Sequence, residues 1–108
     1  MSRSVLLTDG AARDLDELYA VAYDRDGPAG ADRFLDRIQV VLDRLASRAE
    51  TGTPLPELAR LGLVDHRQLR VDDDRIVYRL RDDEVLIALI ADRGRSLQSL
   101  LQRRLLDG

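Results

Sequence analysis

The chain of 108 residues lacks cysteine, lysine and tryptophan, and it contains a single histidine. Without cysteine there are no disulfide bonds and no thiolate ligands, and one histidine cannot supply the Cys/His spacings of metal sites. The sequence also has no glycine-rich phosphate loop and no Gly-x-Ser-x-Gly elbow. These absences argue against nucleotide-binding and serine-hydrolase classes, and we expect no cofactor and no metal.

Long apolar runs are missing as well. No stretch approaches the ~20 residues that a membrane-spanning helix needs, and residues 1–10 show no apolar segment followed by a small-residue cleavage site. Together with the absence of cysteine, this predicts a cytoplasmic protein without membrane contact. A length of 108 residues is that of one ordinary domain, so residues 1–108 are expected to share one modest core.

The charge balance is slightly acidic. All 17 basic residues are arginines, and they are outnumbered by 20 aspartates and glutamates, which gives a net charge of −3. A domain that binds nucleic-acid phosphate usually carries a clear positive excess. The charge therefore argues against RNA or DNA as the main partner, although a local basic patch can form on an acidic protein.

Two segments show the period of amphipathic helices. Apolar residues recur at helical spacing within residues 10–25 and, more strongly, within residues 34–45. A short Gly/Pro break separates the segments, which favours an antiparallel helical hairpin with both stripes facing a sheet. The stripes consist of Ala12, Leu15, Leu18, Tyr19 and Ala22, and of Phe34, Leu35, Ile38, Val41, Leu42 and Leu45.

The remaining segments predict strands and a closing helix. Residues 4–8 form a short apolar run before a helix start that Thr8 or Asp9 can cap. Three strands at residues 66–71, 75–81 and 85–91 follow a Gly/Pro-rich connector, and tight turns make them antiparallel. The predicted fold class is α+β: a helical hairpin packed on a small, mainly antiparallel sheet in the order β-α-α-β-β-β, with a C-terminal helix.

The last predicted strand, residues 85–91, is apolar on both faces. The helical hairpin shields only one face of the sheet, so either the C-terminal helix or an element of another protein must cover the other face. In the preceding strand, alternation places Tyr78 beside Ile76 and Leu80, which predicts a core tyrosine.

The order of elements and several stretches of sequence resemble the RelE/ParE superfamily of toxins from bacterial toxin–antitoxin pairs. The likeness covers about residues 4–106. It implies a small α+β toxin that blocks growth and is held inactive by an antitoxin whose C-terminal segment wraps around it. The stretches are LTDGAARDLDELYAVA, ADRFLDRIQVVLDRL, GTPLPEL, the motif RIVYR at residues 75–79 with the apolar strand after it, and Gly94-Arg95.

Two activities occur in this superfamily: RelE-like members cut messenger RNA on the ribosome, and ParE-like members poison DNA gyrase. The resemblance implies that Arg75 and Arg95 lie where the RelE-like enzymes hold phosphate. Under the nuclease alternative Arg70 is a third phosphate ligand and His66 is the candidate base, although a lone histidine at a strand start is more often an exposed surface residue. The lysines of the RelE-like branch are absent from residues 65–71, and Leu101 stands where a tyrosine or histidine is expected.

These departures favour a ParE-like toxin that inhibits gyrase by binding and is not an enzyme. Two alternatives stay open. One is a RelE-like endoribonuclease that acts on ribosome-bound messenger RNA, and the other is an inactive toxin-fold protein that survives as a binding module.

Contacts with the antitoxin are expected on the polar face of the sheet and on the C-terminal helix. Arginines on the polar face suit carboxylates as well as phosphates. The leucine stripe of the closing helix predicts a groove beside the last strand that an antitoxin helix fills. The expected antitoxin-binding residues are Arg79, Arg81, Leu97, Leu101 and Leu105.

The aspartates between the predicted strands are interpreted as turn residues. Aspartate tolerates the backbone angles of tight turns, so Asp72–Asp74 and Asp82-Asp83 are not expected to be metal ligands. Arg75 is expected to anchor the sheet by pairing with Asp73 or Asp74 in the adjacent turn, and with Arg70, Arg79 and Arg81 it could form a cationic strip.

Overall fold

This computed structural model describes residues 2–60, 62, 65–92 and 97–106. Within those residues the chain forms a five-stranded sheet, three α-helices and a 3-10 turn at Ala49–Thr51. The α+β class predicted from the sequence is therefore confirmed. The elements are β1 (Ser4–Leu7), α1 (Asp9–Ser47), β2 (Thr53–Pro54), α2 (Pro56–Ala59), β3 (His66–Val71), β4 (Asp74–Arg81), β5 (Glu84–Ala91) and α3 (Leu97–Leu106).

Helix α1 folds back on itself at Gly27. As one straight helix its 39 residues would extend about 58 Å, which exceeds the longest dimension of the molecule, 41 Å. At Gly27 the backbone has φ 77° and ψ −177°, a region open essentially only to glycine. Pro28 then begins the second segment with a φ that suits a first helical turn. The predicted helical hairpin is thus present.

Both segments of α1 pack on one side of the sheet, here called the first face. Thr8 caps the helix, because its side-chain oxygen accepts a hydrogen bond of 3.1 Å from the Ala11 N–H. Leu35 lies outside this core and is partly exposed, although it belongs to the predicted stripe. The buried core of the first face comprises Ala11, Ala22, Ala31, Phe34, Ile38, Val41, Leu45, Ala49, Val71, Ile76, Tyr78, Val85, Ile87 and Ile90.

The strand order in the sheet is β1-β5-β4-β3-β2. Strand β1 runs parallel to β5, and the other three pairings are antiparallel. Two-residue turns join β3 to β4 and β4 to β5, and their first residues, Asp72 and Asp82, have φ values of 55° and 50°. Aspartate is among the residues that tolerate this left-handed region. The sequence predicts the three meander strands to within one residue at each end, but it does not predict β2.

Strand β5 contains a bulge at Ala88. Val77 of β4 lies opposite Leu89, whereas the next residue, Tyr78, lies opposite Ile87, so β5 has one extra residue at this point. The bulge shifts the alternation of β5, and its apolar residues therefore supply both faces of the sheet.

The opposite side of the sheet, here called the second face, is partly covered by the chain itself. Leu101 of α3 is 5% exposed and lies in a second core with Leu55 and Leu58. In this structure α2 and α3 therefore cover the surface beside β5 where the sequence predicts an antitoxin groove, and the antitoxin-binding role of Leu97, Leu101 and Leu105 stays a prediction. No helix in the described ranges is long and apolar enough to span a bilayer. The strand residues beneath this cover are Val77, Leu89 and Ala91.

Candidate functional site

The arginines of the second face form the candidate site. Cross-strand partners share a face, and the registers place four arginines on the same face as buried Val77. Val77 and its cover interrupt the cationic strip predicted from the sequence and divide it into two pairs. We call Arg70 and Arg75 the turn pair, and Arg79 and Arg81 the open pair.

The open pair lies on the uncovered half of the second face. Arg79 and Arg81 are both exposed, and their partners on β5 are Leu86 and Glu84. Leu86 is in turn the register partner of Leu6 on β1, whose side chain is 47% exposed. Cationic and apolar side chains therefore meet on one open surface.

The turn pair lies at the other end of the second face. Arg70 and Arg75 are directly opposite each other on β3 and β4, an arrangement in which like charges destabilise a sheet. Together with Asp72 and Asp73 they line a shallow cleft beside the β3–β4 turn. The cleft therefore offers two guanidinium groups that suit an oxyanion, beside two carboxylates that repel one.

The acidic turn beside Arg75 makes an ion pair with the helical hairpin. Asp74 makes no ion pair with Arg75 within the described part of the chain, and the pairing of Arg75 with the adjacent turn stays a prediction. Asp72 pairs with Arg37 of α1, with 2.7 Å between Nε and Oδ2. Asp72 thereby ties the acidic turn to the helical hairpin.

The candidate base of the nuclease alternative is buried. His66 is 7% exposed, whereas the sequence favours an exposed surface residue at this position. Arg95 lies outside the described residues, and so do the side chains of Leu97 and Leu105. Leu101, the position where the RelE-like pattern has a tyrosine or histidine, belongs to the second core.

Tyr78 is a core residue, as the sequence predicts. It is fully buried, its hydroxyl donates to the Ala49 carbonyl at 2.8 Å, and it accepts from the Gly52 N–H at 2.8 Å. Burial raises the pKa of this hydroxyl, and the hydrogen bond from Gly52 partly offsets the rise. Tyr78 therefore attaches the segment between α1 and β2 to β4.

The acidic residues near the β3–β4 turn perturb one another. Burial raises the pKa of Asp74 above its ordinary value of 3.8, and the nearby charges of Asp92, Asp73 and Asp72 add to the rise, while Arg37 opposes it. No group of three or more potential ligands in the described ranges could hold a metal ion. The raised pKa of Asp74 therefore makes the stability of the fold depend on pH.

Sequence reasoning did not single out Leu6 and Leu86 as parts of the site. Their position follows from the parallel pairing of β1 with β5, which joins residues 80 positions apart. The sequence of β1, Ser-Val-Leu-Leu, gives no signal for this, because Val5, Leu6 and Leu7 are all apolar, and only the structure shows that Leu6 is exposed while Val5 and Leu7 are half-buried.

Comparison with known proteins gives a family and two related folds. The family model of the ParE toxin of type II toxin–antitoxin system, parDE, matches residues 5–97. No curated protein matches the chain. The chain is similar to a chromosomal ParDE system structure from P. aeruginosa, with a TM-score of 0.68 and 24% identity over 84% of this chain and 96% of that one. It is also similar to the toxin–antitoxin complex RelBE2 from Mycobacterium tuberculosis, with a TM-score of 0.63 and 24% identity over 88% and 95% of the two chains.

Proposed function

This chain belongs to the ParE toxin family of type II toxin–antitoxin systems, and we propose that it arrests growth by binding DNA gyrase. The observation that carries the proposal is the match to the ParE model over residues 5–97, because ParE-like members of the superfamily poison gyrase. Such a toxin needs a binding surface but no residue that transfers protons.

The burial of the positions that a nuclease would use for proton transfer supports a toxin that acts by binding. Cleavage through the 2′-hydroxyl of RNA needs a base that reaches the substrate, whereas His66 is buried. Leu101 cannot transfer a proton and packs in the second core. The net charge of −3 is also unfavourable for a protein whose substrate is a polyanion.

A supercoiling assay tests the proposal. Purified toxin is added to gyrase, relaxed plasmid and ATP, and we expect supercoiling to be inhibited and linear plasmid to accumulate when the reaction is stopped with detergent. Topoisomerase I with the same plasmid is the control, and its activity should not change. Unaffected gyrase activity at a large excess of a toxin that arrests growth would overturn the proposal.

The turn pair favours one alternative, a ribosome-dependent messenger RNA endoribonuclease. Arg70 and Arg75 lie directly opposite each other in a cleft, and their guanidinium groups suit a phosphate. A translating extract with end-mapped messenger RNA tests this activity. Cleavage that is lost in Arg75→Ala and kept in the exposed control Arg13→Ala would replace gyrase with the ribosome as the target.

Growth measurements separate an active toxin from an inactive binding module. We expect induced expression of the chain to arrest growth and co-expression of the neighbouring antitoxin gene to restore it. Normal growth at confirmed expression of the folded chain would favour the inactive module. This outcome would also remove the reason to search for a cellular target.

A further inference from the structure

We propose that the open half of the second face, formed by Leu6, Leu86, Arg79 and Arg81, is the docking surface for an acidic amphipathic segment of the antitoxin. The inference rests on the proposed function in one respect, that the toxin has an antitoxin partner. It does not depend on gyrase being the target.

The open pair has no structural task in the described part of the chain. Neither the Arg79 nor the Arg81 guanidinium group makes an ion pair or a hydrogen bond with a described residue, even though Glu84 lies opposite Arg81. Alternate residues of a strand are about 7 Å apart on the same face. Two guanidinium groups therefore stand side by side, and each can bind a carboxylate with two hydrogen bonds.

Leu6 determines which kind of anionic partner fits. It is 47% exposed on β1, and its register partner Leu86 is half-buried beside Arg79. A nucleic-acid backbone would satisfy the arginines but would place phosphates beside these apolar side chains. A peptide that alternates acidic and apolar residues matches both the charge and the apolar surface.

The open half is also accessible without any rearrangement of the chain. Binding to the covered half would have to displace Leu101 and break the 2.8 Å hydrogen bond from Arg104 to the Ala88 carbonyl. Docking on Leu6 and the open pair leaves those contacts intact. The antitoxin segment therefore binds beside α3 and does not replace it.

Isothermal titration of the toxin with the antitoxin encoded next to its gene tests the surface. We expect Arg79→Gln/Arg81→Gln to weaken binding at least about tenfold, because charge-assisted hydrogen bonds are lost. Leu6→Thr keeps a strand-forming residue and should weaken binding about fivefold. The matched control is Arg13→Gln/Arg33→Gln, which removes the same charge from exposed positions of α1 and should leave the affinity within about twofold.

Two further measurements make the result decisive. Thermal unfolding of each variant shows whether it is folded, and fluorescence anisotropy with a labelled DNA duplex shows whether the open pair binds nucleic acid. Equal antitoxin affinity for the wild type and both open-half variants would overturn the proposal. Duplex binding at physiological salt that disappears in Arg79→Gln/Arg81→Gln, with antitoxin affinity unchanged, would assign the surface to nucleic acid.

The gyrase assay distinguishes failure of this inference from failure of the proposed function. A toxin that inhibits gyrase and binds antitoxin equally well in all variants refutes only the docking surface. A toxin that leaves gyrase active but loses antitoxin affinity in the open-half variants refutes only the proposed target. Each of the two statements can therefore fail alone.

Discussion

Arg104 in α3 and Asp14 in α1 form an ion pair, with 2.8 Å between Nη2 and Oδ1, although they are 90 positions apart in the chain. Nη1 of the same guanidinium donates to the Ala88 carbonyl at the β5 bulge, and the other Asp14 oxygen accepts from the Ile90 N–H at 3.0 Å. Gly10 permits this approach, since a Cβ at that position would lie 2.5 Å from Nη1. One pair of side chains thus joins α1, β5 and α3.

Removing the Arg104 side chain is expected to destabilise the packing of α3. The side chains of Arg104 and Asp14 are 27% and 14% exposed, so Arg104→Ala leaves a largely buried carboxylate without its cation. We expect the free energy of unfolding to fall by about 2 kcal/mol. Arg25→Ala, which breaks the exposed Arg25–Asp26 pair, should cost less than about 0.5 kcal/mol. Equal losses of unfolding free energy in the two variants, measured by urea denaturation, would show that the Arg104–Asp14 pair stabilises the fold no more than an exposed pair does.

The hydroxyl of Tyr78 is expected to contribute measurably to stability. Tyr78→Phe keeps the ring but leaves the Ala49 carbonyl and the Gly52 N–H without their 2.8 Å partner. Buried groups that lose a hydrogen bond cost about 1–3 kcal/mol. The control is Tyr23→Phe at a half-exposed tyrosine, which should change the unfolding midpoint very little. A Tyr78→Phe midpoint equal to that of the wild type would mean that water replaces the hydroxyl.

Asp74 is expected to make stability depend on pH. Its raised pKa in the fold means that the protonated form is favoured there, so its stabilising contribution is complete below 3.8 and is lost as pH rises through the higher value of the folded state. Asp74→Asn removes a charge that the fold disfavours, and it should raise the melting temperature at pH 7. The advantage should shrink as the pH falls toward 3.8.

The exposed turn residue Asp83 supplies the control for this pH series. Asp83→Asn removes the same charge, and its difference from the wild type should stay small across the titration. An advantage of Asp74→Asn that is constant with pH would contradict a cause based on ionisation.

Any side chain at Gly27 is expected to destabilise the fold, and the cause is the backbone conformation and not a steric clash. Its φ is 77°, yet a Cβ there would meet no atom within 4 Å. Gly27→Ala should therefore cost about 1–3 kcal/mol through backbone strain. Gly27→Ser should cost about as much, because the added oxygen enters open space. A much larger loss for serine, measured by denaturant unfolding, would indicate a steric cause.

Local patterns in the sequence predict most of the fold. The apolar stripes of α1 and its Gly-Pro break predict the helical hairpin, and Thr8 is one of the two proposed caps. The turns at Asp72 and Asp82 are recognisable because only a few residue types adopt their backbone angles. These features are encoded within a few residues of where they occur.

Features that join distant segments are not predicted. The β5 bulge at Ala88 changes which residues share a face, and no local pattern announces it. The ion pair of Arg104 connects the two ends of the described chain and cannot be recognised among 17 arginines. The ion pair between Asp72 and Arg37 is not predicted for the same reason, because Arg37 lies on α1, 35 positions earlier in the chain.

The parallel pairing of β1 with β5 affects how the partly folded protein behaves. Ser4 is the register partner of Glu84, so β5 remains an unprotected edge until both ends of the domain have come together. Pairings between such distant segments form slowly, and a bare edge of apolar residues can recruit the same strand from another molecule. The four residues of β1 occupy the edge of β5, and this pairing prevents β5 from pairing with the same strand of another molecule.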